Sequence, residues 1–332
     1  MKTIVNKGIL YFLCFVIFCI IGLLINPGNI AFIPQSCYSL LILGALLFAL
    51  SQQSFKIEEI YKSLIPIYWI AIFMGLIHFL TYHQKASFVD TWMSDMTAGY
   101  AILPAVLFAI DYSFTQKKAI PWAIIGFVTM FLCGSRGPVA IATIFFFVDF
   151  MRYSKNLYQK MILFVLFAIV CVIYQTSVYD LWLVSLDEYL KSKGFTIASL
   201  QKVLYYTDMS NGRNDVFSYG VQLIKDSPIV GYGIYYDRGL YSYVHNFVLE
   251  VLIDFGLIIG CIICVLVVVC SIKMIRYCMK TNKSSLSIAL ILILFNLGKL
   301  MVSSSYLNEP LFWFFIGLSY KCSTSDSIRF ER

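Results

Sequence analysis

Charge is what this sequence has least of. Asp, Glu, Lys and Arg make up 13% of 332 residues, against 60% hydrophobic ones, which is far from soluble-domain averages. With repeated long apolar runs and a mean hydropathy of +0.81, the core is expected to be built in lipid rather than around one water-excluded centre. No P-loop, GxGxxG, HExxH or GxSxG stands in a fitting context, and no carboxylate cluster suggests a nucleotide-sugar glycosyltransferase with bound metal. Nothing therefore points to nucleotide or metal chemistry, and no cofactor is expected. Cysteine is absent from 175–244, so disulfides do not hold that segment. The ten cysteines elsewhere lie mostly inside apolar runs, where thiols behave as small hydrophobes. Cys261 and Cys264 are read as packing in a membrane helix rather than as a zinc or redox pair. The net charge of +7 belongs to residues that mostly flank apolar runs, so no nucleic-acid partner is expected.

The apolar runs predict an all-α integral membrane protein of about ten transmembrane helices. The first runs from the two N-terminal lysines to Ile25 and is read as a retained span, because no small-residue cleavage site is evident. The others are expected at 37–50, 64–82, 98–111, 119–133, 138–151, 161–174, 246–272, 284–303 and 311–320. Several fall short of the roughly 20 residues that cross a core of about 30 Å, and flanking Tyr, Trp and Ser are expected to complete them. One set of alternate loops carries sixteen of the 25 Lys and Arg, against eight on the other side, with Lys299 inside a span. The positive-inside rule then puts both termini in the cytoplasm.

Between the seventh and eighth spans lies the only sizeable polar segment, 175–244. It is too long for a plain connector and too rich in Tyr, Leu, Ile and Val to be disordered. Residues 179–191 and 197–206 read as short amphipathic helices along the membrane surface. The chain divides accordingly into a membrane bundle (1–174), an external catalytic loop (175–244) and a second bundle (245–332).

The stretch 211–250 concentrates the chemistry. A helix-start signal at Ser210-Asn211 leads into apolar residues Val216, Phe217, Val221, Leu223 and Ile224, and Asp226-Ser227-Pro228 ends that helix. Gly231 and Gly233 then permit a tight backbone path near a ligand. Arg213 and Arg238 bracket this turn, and Arg136 stands at the external edge of an earlier span. Guanidinium suits a diphosphate, because its planar donors bind oxygens bidentately and it stays charged near lipid. His78 and His83 read as interfacial packing. His245 differs: Asn246 adjoins it, and Glu250 follows about one helical turn on. Glu250 and Asp254 are costly so near a span unless paired or facing a water-filled cavity. Lys299 reads as snorkelling, Glu309 as a weaker external candidate, and Tyr232 to Tyr243 as a sugar-binding surface or an interfacial belt.

Arg213, Pro228-Ile229-Val230-Gly231-Tyr232-Gly233, His245-Asn246, Glu250 and Gly256-Leu257, with the upstream Gly134-Ser135-Arg136-Gly137, resemble the O-antigen ligase and O-antigen or capsule polymerase superfamily, Wzy-type. The resemblance implies a membrane glycosyltransferase that moves a glycan from undecaprenyl diphosphate, without metal or nucleotide. The expected activity is a surface-polysaccharide polymerase, because ligases of the superfamily are expected to have about two more spans. Transfer of glycan to another acceptor, as by a ligase, is the alternative. A transporter or flippase for lipid-linked sugar is a rival of another class, disfavoured by the few ionisable residues in the spans and the lack of an evident repeat. The candidate roles are catalysis for His245 and Glu250, diphosphate binding for Arg136, Arg213 and Arg238, and substrate contact for Tyr232 and Asn246. Expected partners are the undecaprenyl-diphosphate-linked oligosaccharide, membrane lipid, a flippase and a chain-length regulator. The expected location is the bacterial cytoplasmic membrane.

Overall fold

The computed structural model describes residues 22–24, 26–32, 38–53, 57–83, 95–163, 177–194, 213–238, 244–281 and 283–324, with isolated positions at 13, 16, 17, 20, 34, 165, 200 and 204. All regular structure among these residues is helical. The chain forms two compact units, 61–209 and 1–60 with 210–332. This grouping follows packing and divides the chain at other points than the three-part division expected from the sequence.

An early helix, α1 (Ala45–Ser51), follows a π-helical turn at Tyr38–Gly44. The unit 61–209 then holds most of α2 (Ile57–His83), with α3 (Asp95–Thr115), α4 (Ile120–Leu132), α5 (Arg136–Tyr153) and α6 (Ser177–Ser192). Helix α3 is its centre: Tyr100, Leu103, Val106, Leu107 and Phe108 are all buried. Close approach depends on small residues, since a Cβ on Gly75 would meet Ile102 Cδ1 at 2.4 Å and Thr129 Cγ2 at 2.8 Å. His78 is buried in this unit, while the side chain of His83 lies outside the described residues. Buried Asp111 accepts from Arg152 at 2.7 Å and from the Tyr153 hydroxyl at 3.0 Å. Asp149, also buried, lies 3.1 Å from the same guanidinium. A helix stands where one was expected at 179–191, as α6, steadied by a Lys191–Asp187 pair at 2.7 Å. Its expected successor at 197–206 falls almost wholly outside the described residues.

The other unit continues with α7 (Arg213–Asp226), α8 (Phe247–Thr281), α9 (Lys283–Val302) and α10 (Pro310–Thr324). Its core joins α8, α9 and α10 through Phe247, Phe255, Met274, Leu300, Phe312 and Phe315.

Four stretches among the described residues are long and apolar enough to cross a bilayer: Ser63–Leu80, Met96–Thr115, Phe247–Thr281 and Ser284–Val302. They fall at the expected third, fourth, eighth and ninth spans. At the fifth position α4 has 13 residues, about 20 Å of helix. At the sixth, α5 carries Arg136, Asp149 and Arg152. At the tenth, α10 has 15 residues. The expected first and seventh spans lie mostly outside the described residues. The chain is thus a multi-pass membrane protein, all-helical among the described residues.

Candidate active site

Arg213 opens α7; the start signal at Ser210-Asn211 lies outside the described residues. A cation at a helix N-terminus opposes the dipole, and the N–H groups of a first turn favour an anion, so the start of α7 suits one. Asp215 in the first turn complements the same end. Pro228 follows the last turn, as its missing N–H requires. Leu223, with Val216 and Ile224 beside it, packs α7 against Ile253 and Leu249 of α8.

The Gly-Tyr-Gly turn does not end in solvent. It docks into a break in α8 at Gly256, whose φ of 72° and ψ of 176° no helix contains. The break leaves carbonyls without helical partners. Tyr232 N–H donates to the Ile253 carbonyl at 2.8 Å and Gly233 N–H to the Asp254 carbonyl at 3.0 Å. Leu257 N–H donates to the Pro228 carbonyl at 2.7 Å. On the outer side of the turn, Asn29 Nδ2 donates to the carbonyls of Tyr232 at 3.1 Å and Ile234 at 3.0 Å. Asn26 adds a bond to Tyr232 at 3.3 Å. The glycines are there because the backbones touch: a Cβ on Gly233 would lie 2.3 Å from the Gly22 oxygen. Tyr232 itself is half-buried, its ring stacked on Tyr236 at 4.2 Å between centroids.

Beyond the turn, Asp237 and Arg238 enter a buried polar network with Glu250, Asp254, Ser305 and Tyr306. The Arg238 side chain is 3% exposed and lies 3.2 Å from Glu250 Oε1. It donates to Ser305 Oγ at 2.6 Å, and Ser305 in turn donates to Glu250 Oε1. Asp237 Oδ2 accepts Val244 N–H at 3.0 Å, and Tyr306 donates its hydroxyl to Asp254 Oδ2 at 2.6 Å. Burial pushes the Asp237 carboxyl above its ordinary range, against the pull of Arg238. Three carboxyl groups around one guanidinium are tolerable in a low dielectric only with such donors on them.

His245 precedes α8 with φ of 53°, a left-handed conformation that turns the chain into the helix. It is half-buried. Burial lowers its pKa first, then the charges of Arg213 and Arg238, while a hydrogen bond with the Ser303 backbone works in the opposite direction. The imidazole is therefore neutral near pH 7 and ready to accept a proton. Asn246 caps α8: its Oδ1 accepts Leu249 N–H at 3.1 Å and its carbonyl accepts Glu250 N–H at 2.9 Å. Its Nδ2 reaches the Met301 carbonyl at 3.5 Å.

Of the residues singled out from the sequence, Arg213, Tyr232, Arg238, His245, Asn246 and Glu250 all fall in one compact unit. Arg136 belongs to the other, as the first residue of α5 after buried Ser135 and Gly134 with φ of 78°. Lys299, expected to snorkel, pairs with Glu309, which also accepts from Ser304 at 3.3 Å. Sequence reasoning passed over Asn29, Asp237, Ser303, Ser305 and Tyr306. The one available signal was the polar run Ser303-Ser304-Ser305-Tyr306 between two apolar segments. Beside this network, Phe247, Val251, Phe255, Tyr306, Phe312 and Trp313 line an apolar cavity of about 350 Å³.

Residues 121–264 match a family model described as O-Antigen ligase. The matched segment runs from α4 into α8 and contains Arg136, α7, the glycine turn, Arg238, His245 and Glu250. It supports the O-antigen ligase and polymerase superfamily on which the motifs converge. No curated protein and no solved structure matches the chain.

Proposed function

Starting from an O-antigen ligase match within a multi-pass helical chain, we propose that this protein is a surface-polysaccharide polymerase of the bacterial cytoplasmic membrane. It joins undecaprenyl-diphosphate-linked oligosaccharide repeat units on the external face by inverting glycosyl transfer. One observation carries the reading: His245, kept neutral by burial and by Arg213 and Arg238, lies in the matched segment. The apolar cavity beside α8 supports a substrate that brings hydrocarbon with it.

In this mechanism an acceptor hydroxyl attacks the anomeric carbon of the donor. The O–H proton passes to His245, the new C–O bond forms, and the bond to the diphosphate breaks from the opposite face. Undecaprenyl diphosphate leaves with the electron pair. Its charge is met by Arg213. Arg238, held by Glu250 and Ser305, contributes its charge from within the protein. Tyr232 offers a ring to the sugar, and Asn246 sets the direction in which α8 presents His245. Both termini are cytoplasmic, about ten crossings are completed by the shorter helices, and 175–244 is the external loop. A flippase and a chain-length regulator act alongside.

The family description favours one second reading, ligation to a different acceptor by the same residues. Purified protein supplied only with lipid-linked repeat unit separates the two. A ladder of longer glycans with release of undecaprenyl diphosphate is expected. Transfer that requires a second, chemically different acceptor would make the protein a ligase instead.

Two further results are expected. Arg213→Ala should lower transfer by about 10²-fold or more with unchanged membrane insertion, and Arg213→Lys should restore only part, lacking the bidentate fork. Normal glycan from the Ala variant would remove Arg213 from the diphosphate site. For sidedness, Lys193 is exposed at the end of α6. A cysteine there, in a background without the native accessible thiols, should react with an impermeant reagent once the outer barrier is opened. Labelling only after lysis of the inner membrane would reverse the orientation.

A further inference from the structure

The Ser303–Tyr306 corner between α9 and α10 touches the candidate site at three successive places. The Ser303 backbone is hydrogen-bonded to His245. Tyr306 holds Asp254. Between them, the Ser305 hydroxyl has all of its bonding capacity in use. It accepts from Arg238 Nη2 at 2.6 Å and from Leu307 N–H at 3.2 Å, and it donates to Glu250 Oε1. A hydroxyl offers one donor and two acceptor sites, so this oxygen has a single orientation. The corner is itself anchored: Trp313 Nε1 donates to the Tyr306 carbonyl at 3.2 Å, and Ser303 N–H donates to the Lys299 carbonyl at 2.8 Å.

We propose that Ser305 is a positioning residue for the transfer reaction, its hydroxyl tying Arg238 and Glu250 to the same corner that carries the Ser303 partner of His245. The inference rests on the transferase reading above. Its physical content is that base and neighbouring guanidinium are held by one short piece of chain, two residues apart, so their separation does not drift. That matters because the charge of Arg238 helps keep His245 free of its proton. The charged groups on the elements around His245 are Arg213 from α7, Asp237 and Arg238 from the turn, Glu250 and Asp254 from α8, and the Lys299–Glu309 pair at the corner. Among these, Ser305 touches Arg238 and Glu250 directly.

The test compares Ser305→Ala and Ser305→Thr with Trp313→Phe, which loosens the same corner without touching a charged group. Two readouts are taken on purified protein: the pH profile of transfer from lipid-linked repeat unit, and the titration of His245 by ring-carbon NMR. Ser305→Ala should lower kcat about 10- to 100-fold with little change in KM, and should move the acidic limb and the His245 titration to higher pH. Ser305→Thr, which keeps the hydroxyl, should recover much of both. Trp313→Phe should lower thermal stability and leave the titration in place. An unmoved His245 titration in Ser305→Ala overturns the positioning role, whether or not kcat falls. So does an equal shift in Trp313→Phe, which would make the effect one of general loosening. A wild-type protein that transfers nothing from the donor sinks the transferase reading instead, and is distinguishable because the titration is measured without turnover.

Discussion

His245→Ala and His245→Gln are both expected to lower turnover of purified lipid-linked repeat unit by about 10²-fold or more, with substrate binding largely retained. Each removes the group that accepts the hydroxyl proton, and glutamine preserves only a polar side chain of similar reach. The pH dependence gives the second half of the expectation. Burial, Arg213 and Arg238 all disfavour imidazolium, so the basic form persists to lower pH than in an ordinary histidine. Activity should hold through neutral pH, and its acidic limb should fall below the usual value of about 6.5. The same depression makes the unfolded chain the better proton binder, so stability should decline as pH drops from that value through the folded pKa. Wild-type-like turnover in the Gln variant, or an acidic limb above 6.5, would take the base role away from His245.

Gly256→Ala is expected to be the most damaging single change to the fold of the candidate site. A φ of 72° with ψ of 176° lies in a region that only glycine occupies without strain. A Cβ there would also stand 2.2 Å from the Ile229 oxygen and 2.6 Å from its carbon. These are backbone atoms of the docked turn, which has no rotamer to change. Moving them would break the bonds from Tyr232, Gly233 and Leu257 that close the broken helix. A loss of more than about 3 kcal/mol is expected, read as a large fall in the unfolding temperature in detergent and loss of transfer. Gly28→Ala, where a Cβ meets nothing within 4 Å, is the matched control and should behave as wild type. Equal unfolding temperatures for the two variants would mean that α8 tolerates a continuous path at Gly256.

Much of this was open to reading in the chain itself. The apolar runs announced the spanning stretches of α2, α3, α8 and α9, because hydrophobic length is a sum over neighbours and needs no partner. Pro228 ended α7 for a reason local to its own ring. Gly231 and Gly233 signalled a tight backbone path, expected near a ligand, whereas what the path runs against is a break in α8. Arg213 and His245 stood out by residue type and order. The length of α4 and α10 was less legible, since an apolar run does not say how much of itself is helix.

Tertiary structure alone decided what each polar group has left to offer. Arg238 looks like Arg213 in sequence, yet its guanidinium is committed to Glu250 and to Ser305, 67 positions away. Asn29 is an unremarked turn residue until it meets the carbonyls of Tyr232 and Ile234, more than 200 positions on. Lys299 is a stray charge in a span until Glu309 is beside it. Hydropathy and turn preference belong to a residue and its immediate neighbours, so the sequence by itself determined the helical, membrane-built character of this protein and the positions of its breaks. Pairing of buried charges belongs to two distant residues at once, because in a low dielectric each is stable only beside the other. Only the fold could therefore decide which buried charges are paired with one another.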